Sequence, residues 1–554
     1  MATSVNAVKD PDVLKRELQG WYAFDFANSA FFQSAATVFI PLLLDGLATK
    51  YAWSRTAGER PQSCVDLKDD GLPETNCLKC VEGHGDRLIT IDPVTGVYSE
   101  SNPRALTLPG GINPTSFFFT MVSISVLFQA IAFISVGALG DYGNYRRRGL
   151  VFASTVGALA TCAYIIVPVS ASLYWFGGVL IIVANISLGI SVVFYNSYLP
   201  LMVDDSQEVQ DCVAAEATAL AGKDEMRAAQ EKVSSEYSSK GLMWGYIGGT
   251  SCLVLTFILI TVLSFAGVSA HWTLGIGSML SGVWWLGFSF WAFARLPERP
   301  GPPVPPDMNL LTVGWVRTYE LLRRIAQDSP STGYFLVLFF FFSDGYTTIA
   351  TVSVLFASRE LCLGLVSLVA MAIIVPLFAA VGGYVWFRLQ MYSKWSTKSV
   401  LVLTLVLLAF LPLWGCIGFF SSNIGLRSAT EMYVLAVWFG MCLGSAQAYG
   451  RALFSELTPE GHEADMFALF EITDKGSSWL GPLVASIIIQ QTGKIRPVLI
   501  YLLCAMVLPA LLLHRLDLSG AIASARHKGG ADAALVGEAG GNAEETEGDN
   551  PRRQ

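Results

Sequence analysis

Twelve runs of mostly apolar residues, each about 20 or more long, punctuate this chain: roughly 20–46, 116–139, 149–169, 173–200, 241–267, 272–295, 332–356, 362–388, 399–420, 431–456, 467–490 and 495–514. About 20 such residues in a helix cross the hydrocarbon of a bilayer with every backbone group satisfied inside the segment. The runs are continuous rather than alternating, which excludes a β-barrel. The whole chain is 53% hydrophobic and 14% charged, with a mean hydropathy of +0.49, well outside the range of a soluble domain. The expected fold is an all-α membrane protein with twelve transmembrane helices.

Two of these runs carry a carboxylate. The first reads GWYAFDFANSAFF, with Asp25, Asn28 and Ser29, and the seventh reads FLVLFFFFSDGYTTIATV, with Asp344, Thr347 and Thr348. Positions i, i+3 and i+4 share a helix face. An ionised side chain at mid-bilayer costs about 2.5–3.5 kcal/mol, so it normally faces protein or a water-filled cavity. A carboxylate removed from water is also easier to protonate. The same device in both halves suggests two related units around one polar site, binding a substrate ammonium or a proton. The competing reading is that each aspartate only caps or cross-links helices. Asn185 and Asn196 in the fourth run line a cavity or hydrogen-bond between helices, and Gly241, Gly245 and Gly249 read as a packing seam.

The hydrophilic stretches divide the chain. Residues 1–19 form a polar N-terminus without a cleavable signal; 20–295 hold six spans, with a long loop at 47–115 and an acidic, partly helical stretch at 201–240. A linker at 296–331 opens with RPGPPVPPD and continues as an amphipathic helix over 310–326; six more spans fill 332–516, and 517–554 reads as a disordered tail. Basic residues cluster at Arg146, Arg147 and Arg148, at Lys394 and Lys398, and in the linker, which puts these segments and both termini in the cytosol. Cys64, Cys77 and Cys80 then lie in the non-cytosolic loop, where one disulfide is plausible; the other seven cysteines read as small apolar residues. No metal site, cofactor motif or Walker loop is present, and no basic patch suits nucleic acid.

Six spans, a central linker and six spans are the outline of a major-facilitator transporter, whose halves rock around a midplane site. The segment GALGDYGNYRRRG, with Gly137, Gly140 and Asp141 ahead of Arg146 and Arg147, resembles that superfamily's signature between spans two and three, with Tyr142 and Gly143 as departures. Four blocks narrow the resemblance: ELQGWYAFDFANSAF (17–31), YNSYLP (195–200), FFFFSDGYTTIA (339–350) and GSAQAYGRALFSELTPEGHEADMFALFEITDKGSSWLGPL (444–483). They resemble the vacuole effluxer family, autophagy-related exporters of that superfamily. The resemblance implies a multi-pass protein of a vacuolar or lysosome-like membrane, releasing neutral, leucine-like amino acids to the cytosol, and the two carboxylates add the expectation of proton coupling. Its partners would be the small-molecule substrate and membrane lipids, acting as a monomer, and it would not be an enzyme.

The 444–483 block concentrates charge. Gln447, Arg451 and Ser455 share one face of the tenth span with Glu456 beyond them, and Glu471, Asp474, Lys475 and Ser478 run down the eleventh. Three readings stand: a structural salt-bridge network, a cytosolic gate remade during transport, or direct contact of Arg451 or Lys475 with a substrate carboxylate. A carrier of a sugar or organic acid, or a transport-inactive scaffold, are the alternatives to amino-acid export. The double variant Asp25→Asn, Asp344→Asn separates a transporter from a scaffold. Solute flux in proteoliposomes should disappear at unchanged protein abundance, and unchanged partner recruitment with no transport defect would favour the scaffold.

Overall fold

Helix formation is dictated by the long leucine-, valine- and phenylalanine-rich runs, and the computed structural model of the protein is a bundle of such helices. It describes residues 11–56, 62–63, 76–81, 85–91, 98–101, 107–137, 144–217, 223–300, 310–328, 330–421, 423–457, 469–470, 472–474 and 476–518. Helix α1 (Pro11–Ala30), a π-helical segment (Phe31–Phe39) and α2 (Ile40–Thr56) follow one another without a break. The first half continues with α3 (Pro114–Gly137), α4 (Tyr145–Cys162), α5 (Tyr174–Asn196), α6 (Tyr198–Asp204), α7 (Gln207–Ala217), α8 (Lys223–Phe265) and α9 (Ala270–Phe293). The linker helix is α10 (Leu310–Asp328). The second half comprises α11 (Pro330–Arg359), α12 (Leu365–Ser393), α13 (Thr397–Ile417), α14 (Ala429–Glu456), α15 (Leu480–Thr492) and α16 (Val498–Arg515).

Among the described residues eleven helices are long and apolar enough to cross a membrane. The remaining apolar segment, α15, is 13 residues long, and residues 472–474 and 476–477 are helical just ahead of it. The first helix starts at Pro11 rather than near Gly20. The acidic 201–240 stretch becomes α6, α7 and the start of α8, a single helix of 43 residues. Its early turns and α7 share a small core of Val203, Val209, Ala229 and Val233.

Between α2 and α3 the 47–115 segment contains a small sheet: β1 (Gln62–Ser63), β2 (Asn76–Val81), β3 (Gly85–Ile91) and β4 (Tyr98–Ser101), in that spatial order. β1 runs parallel to β2, and the other pairs are antiparallel, with Leu78 opposite Leu88 and Thr90 opposite Ser99. This marks the sheet end of the bundle; the opposite face is the linker end. Cys64, the side chains of Cys77 and Cys80, and residues 519–554 lie outside the described residues. Cys362, read as one of the apolar cysteines, is disulfide-bonded at the turn after α11.

Local signals set the helix ends. Ser428 caps α14 by accepting from Glu431 N at 3.4 Å, and the Glu431 carboxylate takes Leu426 N at 2.7 Å and Trp414 Nε1 at 2.7 Å, an extended form of the capping box. Gly493, at φ 70°, ends α15 in the left-handed conformation that glycine adopts without strain.

At the linker end an ion cluster holds the first half together. Arg299 donates to both Glu17 oxygens and to Asp205, each at 2.6 Å, and to Leu201 O at 2.9 Å. Burial works against the Arg299 charge, and hydrogen bonds and charge from Glu17, with Asp205, outweigh it, so the guanidinium is held above its ordinary value. Glu17 is 1% exposed. Removing one partner of a buried pair strands the other charge, so Glu17→Ala should destabilise the detergent-solubilised protein by about 3 kcal/mol. The double variant Glu17→Leu, Arg299→Met should recover most of the loss in a thermal melt.

Candidate functional site

Asp344 lies at mid-length of α11 and is fully buried. Its Oδ1 accepts from Gly481 N at 2.9 Å and its Oδ2 from the Tyr501 hydroxyl at 3.0 Å. Gly481 stands in the first turn of α15, where the backbone has just left the turn at residues 478–479 and its N–H is an orphan of the new helix. A carboxylate is favoured there by the free N–H and the positive end of the helix dipole. Thr347 turns back to donate to Ser343 O and Asp344 O, both at 3.0 Å. Thr348 Oγ1 is buried with no hydrogen-bond partner among the described residues. The residues flanking Asp344 hold a second carboxylate: Asp474 Oδ1 accepts from Ser343 at 2.6 Å and Tyr346 at 3.1 Å.

Asp25 occupies the corresponding place in the first half, half-buried on α1. It faces Gly245 of α8: a Cβ built on that glycine would meet Ser29 Oγ at 2.8 Å and Asp25 Oδ2 at 3.2 Å. A Cβ on Gly481 would likewise meet Thr348 and, at 2.9 Å, Asp344 Oδ2. In each half, then, an Asp and a hydroxyl four residues on pack against a bare glycine of the fifth membrane helix. Asn28 is buried beside them and Ser29 lies 3.5 Å from its Oδ1. The Gly241, Gly245 and Gly249 stripe is a packing seam, and the polar face of α1 is what it packs against.

The other expected residues separate. Asn196 is exposed in the last turn of α5, beside Tyr195, which stacks on Trp21 one turn from Asp25. Asn185 donates to Ser125 at 2.8 Å, a helix-to-helix bond. Arg146 is buried in the first half against Ser197 (2.8 Å) and the Arg299 carbonyl (3.4 Å), and Arg147 pairs with Glu298 at 3.4 Å. Gln447 is exposed on α14 and accepts from Tyr246 of α8 at 3.4 Å, a bond between halves, with Arg451 one turn beyond. Asp141, Glu471 and Lys475 lie outside the described residues, as does the Glu456 side chain.

The sheet end is shut by contacts absent from the sequence reading. Arg359 of α11 donates from Nε to Asp45 Oδ2 of α2 at 2.5 Å and also to Thr49. Ser116 of α3 meets Ser486 of α15 at 2.8 Å, Ser123 donates to Trp479 O at 2.9 Å, and Gln490 Oε1 takes Asn113 N at 2.6 Å. Asp45 fell at the very edge of the first expected span, where a charge is unremarkable. Its burial, at 3% exposure, follows from the helix running on to Thr56. Tyr501 carried no signal of its own, since one tyrosine in an apolar run is ordinary.

Two halves of membrane helices, each with a carboxylate on its first helix packed against a glycine of its fifth, define a membrane transporter with the major-facilitator fold. Solved structures of that fold are similar over nearly the whole length. A POT family transporter in complex with 5-aminolevulinic acid aligns with a TM-score of 0.52 at 12% identity, over 92% of this chain and 96% of that one. A D-xylose–proton symporter aligns with a TM-score of 0.52 at 12% identity, over 91% and 97%.

The chain belongs to the family described as "Vacuole effluxer Atg22 like", whose profile matches residues 14–526. Autophagy-related protein 22-1 of Phaeosphaeria nodorum is 30% identical over 91% of this chain and 90% of its own length. Autophagy-related protein 22 of Kluyveromyces lactis is 31% identical over 92% and 95%. The family is one of transporters, not enzymes.

Closure at the sheet end gives a direct test. Cysteines placed at Ser116 and Ser486, whose hydroxyls are 2.8 Å apart, are within disulfide reach. Oxidation should lock the halves and stop flux, and reduction should restore it; flux undiminished by a formed cross-link would show that this end does not open.

Proposed function

We propose that this protein is a secondary active transporter exporting neutral, leucine-like amino acids from the vacuolar lumen to the cytosol in symport with a proton, returning the products of autophagy. The observation that carries the proton is Asp344. It is fully buried, and the partners described for its two oxygens, Gly481 N–H and the Tyr501 hydroxyl, are both uncharged. Taking up a proton there neutralises a charge that costs free energy to keep dehydrated. Its second-half partners leave Asp344 enclosed, whereas Asp25 is only half-buried. The proton is therefore assigned to Asp344 and the substrate's polar end to the Asp25 stripe. Asn28, Ser29, Thr347 and Thr348 support the two carboxylates.

Family membership supports the vacuolar membrane and the amino-acid substrate. The disulfide-bonded Cys362 at the sheet end fits a non-cytosolic side, where disulfides persist, and so supports cytosolic termini at the linker end. In this arrangement the closed sheet end is lumenal. The exchange to the opposite state would part Asp45 from Arg359 and close the linker end, where Gln447, Arg451 and Asp474 are the nearest candidates for a second gate.

The direction follows from the gradient. Protons fall from an acidic lumen to the cytosol, so symport drives amino acid outward with them. Each unit of pH difference supplies about 1.4 kcal/mol per coupled proton, about tenfold in the limiting concentration ratio. Proteoliposomes carrying an imposed pH gradient should therefore accumulate labelled leucine or tyrosine on the alkaline side. Asp344→Asn should abolish the dependence on the gradient. Flux of amino acid indifferent to pH in the unmodified protein would remove the proton, and movement of a labelled sugar without leucine or tyrosine would remove the amino acid.

A further inference from the structure

The polar stripe of α1 does not stop at Ser29. Trp21, Asp25, Ser29 and Gln33 recur at intervals of four, and Gly241, Gly245 and Gly249 recur at the same interval on α8. The two stripes meet rung by rung. A Cβ on Gly241 would meet the Trp21 ring at 2.6 Å, one on Gly245 would meet Ser29 and Asp25, and one on Gly249 would meet the Gln33 side-chain amide. The helices approach so closely that these polar groups lie on bare backbone. That backbone has little to offer them, because its N–H and C=O groups are spent inside α8.

The consequence is visible at Gln33. Its Oε1 is buried and has no hydrogen-bond partner among the described residues. A buried acceptor left unpaired costs about 1–3 kcal/mol, so one that persists calls for a reason. The backbone at this residue is also unusual: Gln33 is the third residue of the π-helical segment Phe31–Phe39. Such segments occur often at functional sites because the widened turn re-aims side chains. The same segment packs against α11 and α12 of the other half as well as α8 and α9 of its own, so it lies where the halves meet. The second half offers no equivalent. Asp344 and Thr348 repeat the carboxylate and hydroxyl, and the third rung, eight residues after Asp344, is Val352.

We propose that Gln33 is a substrate-contacting residue, whose amide oxygen accepts a hydrogen bond from a donor group of the transported amino acid held along the Asp25–Ser29–Gln33 stripe. The inference rests on the amino-acid reading above and makes the first half the substrate-recognising one. At the helical rise, Ser29 lies about 6 Å along the axis from each of its neighbours on the stripe. With α8 seated on the stripe no substrate fits between them, so a small zwitterion reaches Ser29 and one end rung together only when the seam opens on the partly exposed side of these residues.

The test uses the full chain in proteoliposomes and the near-isosteric variant Gln33→Met. Loss of one hydrogen bond to the substrate should raise KM about tenfold at little change in maximal rate. The melting temperature of the empty protein should stay the same or rise, since an unpaired buried acceptor is replaced by an apolar group. A residue that merely held helices together would give the opposite pattern, a lower melting temperature with KM unchanged. Leucine offers only its ammonium as donor and tyrosine offers a phenol as well. An equal effect on both assigns the bond to the ammonium, and an effect on tyrosine alone assigns it to the side chain. Unchanged KM for both, or a fall in melting temperature, overturns the inference while wild-type flux stands. Absence of wild-type flux for both amino acids overturns the substrate reading and this inference with it.

Discussion

A carboxylate deprived of water must find its hydrogen bonds in protein, and Asp344 finds them by joining three helices. One oxygen takes the N–H with which α15 begins and the other takes the Tyr501 hydroxyl of α16, while the aspartate itself sits on α11. Each demand limits the neighbours. The residue supplying the N–H has to be small enough for the carboxylate to lie against it, which is met by Gly481. The first half solves the same problem with Gly245 against Asp25 and Ser29. Close approach of the first and fifth membrane helices of each half is therefore a requirement of the buried charge as much as of apolar packing.

Contacts between the halves are of another kind. Among the described residues, the hydrogen bonds between the halves, the Asp45–Arg359 pair apart, join hydroxyl, amide and backbone groups: Ser116 with Ser486, Ser123 with Trp479, Asn113 with Gln490, Tyr246 with Gln447. Each is worth about 0.5–1.5 kcal/mol net, and each can be exchanged for water as it parts. Within the first half, by contrast, Arg299 binds Glu17 and Asp205 in a nearly buried cluster. Hydrogen bonds that water can replace suit a seam that parts repeatedly, and the buried Asp45–Arg359 pair is the costlier tie to break.

Much of this is legible in the amino-acid sequence. Hydropathy alone located the spans, because twenty-residue apolar runs have few other uses, and the repeated Asp-x-x-polar-polar pattern located the carboxylates. The glycine stripe read correctly as a packing seam, but its meaning came only with the partner face: helical period tells which residues share a side, not which side they meet. Glu17 and Asp45 escaped notice for a related reason. Charges at the margins of an apolar run look solvated, and only the continuation of the helix from Pro11 to Thr56 shows both to be buried. The four-stranded sheet was invisible because short strands in a polar insertion carry no sustained apolar alternation. Tyr501 and Gly481 were hidden by being ordinary residues made special by one distant neighbour.

The length of α8 carries a mechanical consequence. It is 43 residues long, and Gly245, where Asp25 rests, is 22 residues from its beginning at Lys223. At the helical rise this arm measures about 33 Å. With the glycine seam as pivot, a tilt of about 10° sweeps the far end through about 6 Å, comparable to one helical turn. The outlying core shared with α7 would travel with it. A small adjustment where Asp25 meets Gly245 would thus become a displacement of about one helical turn at the far end of α8.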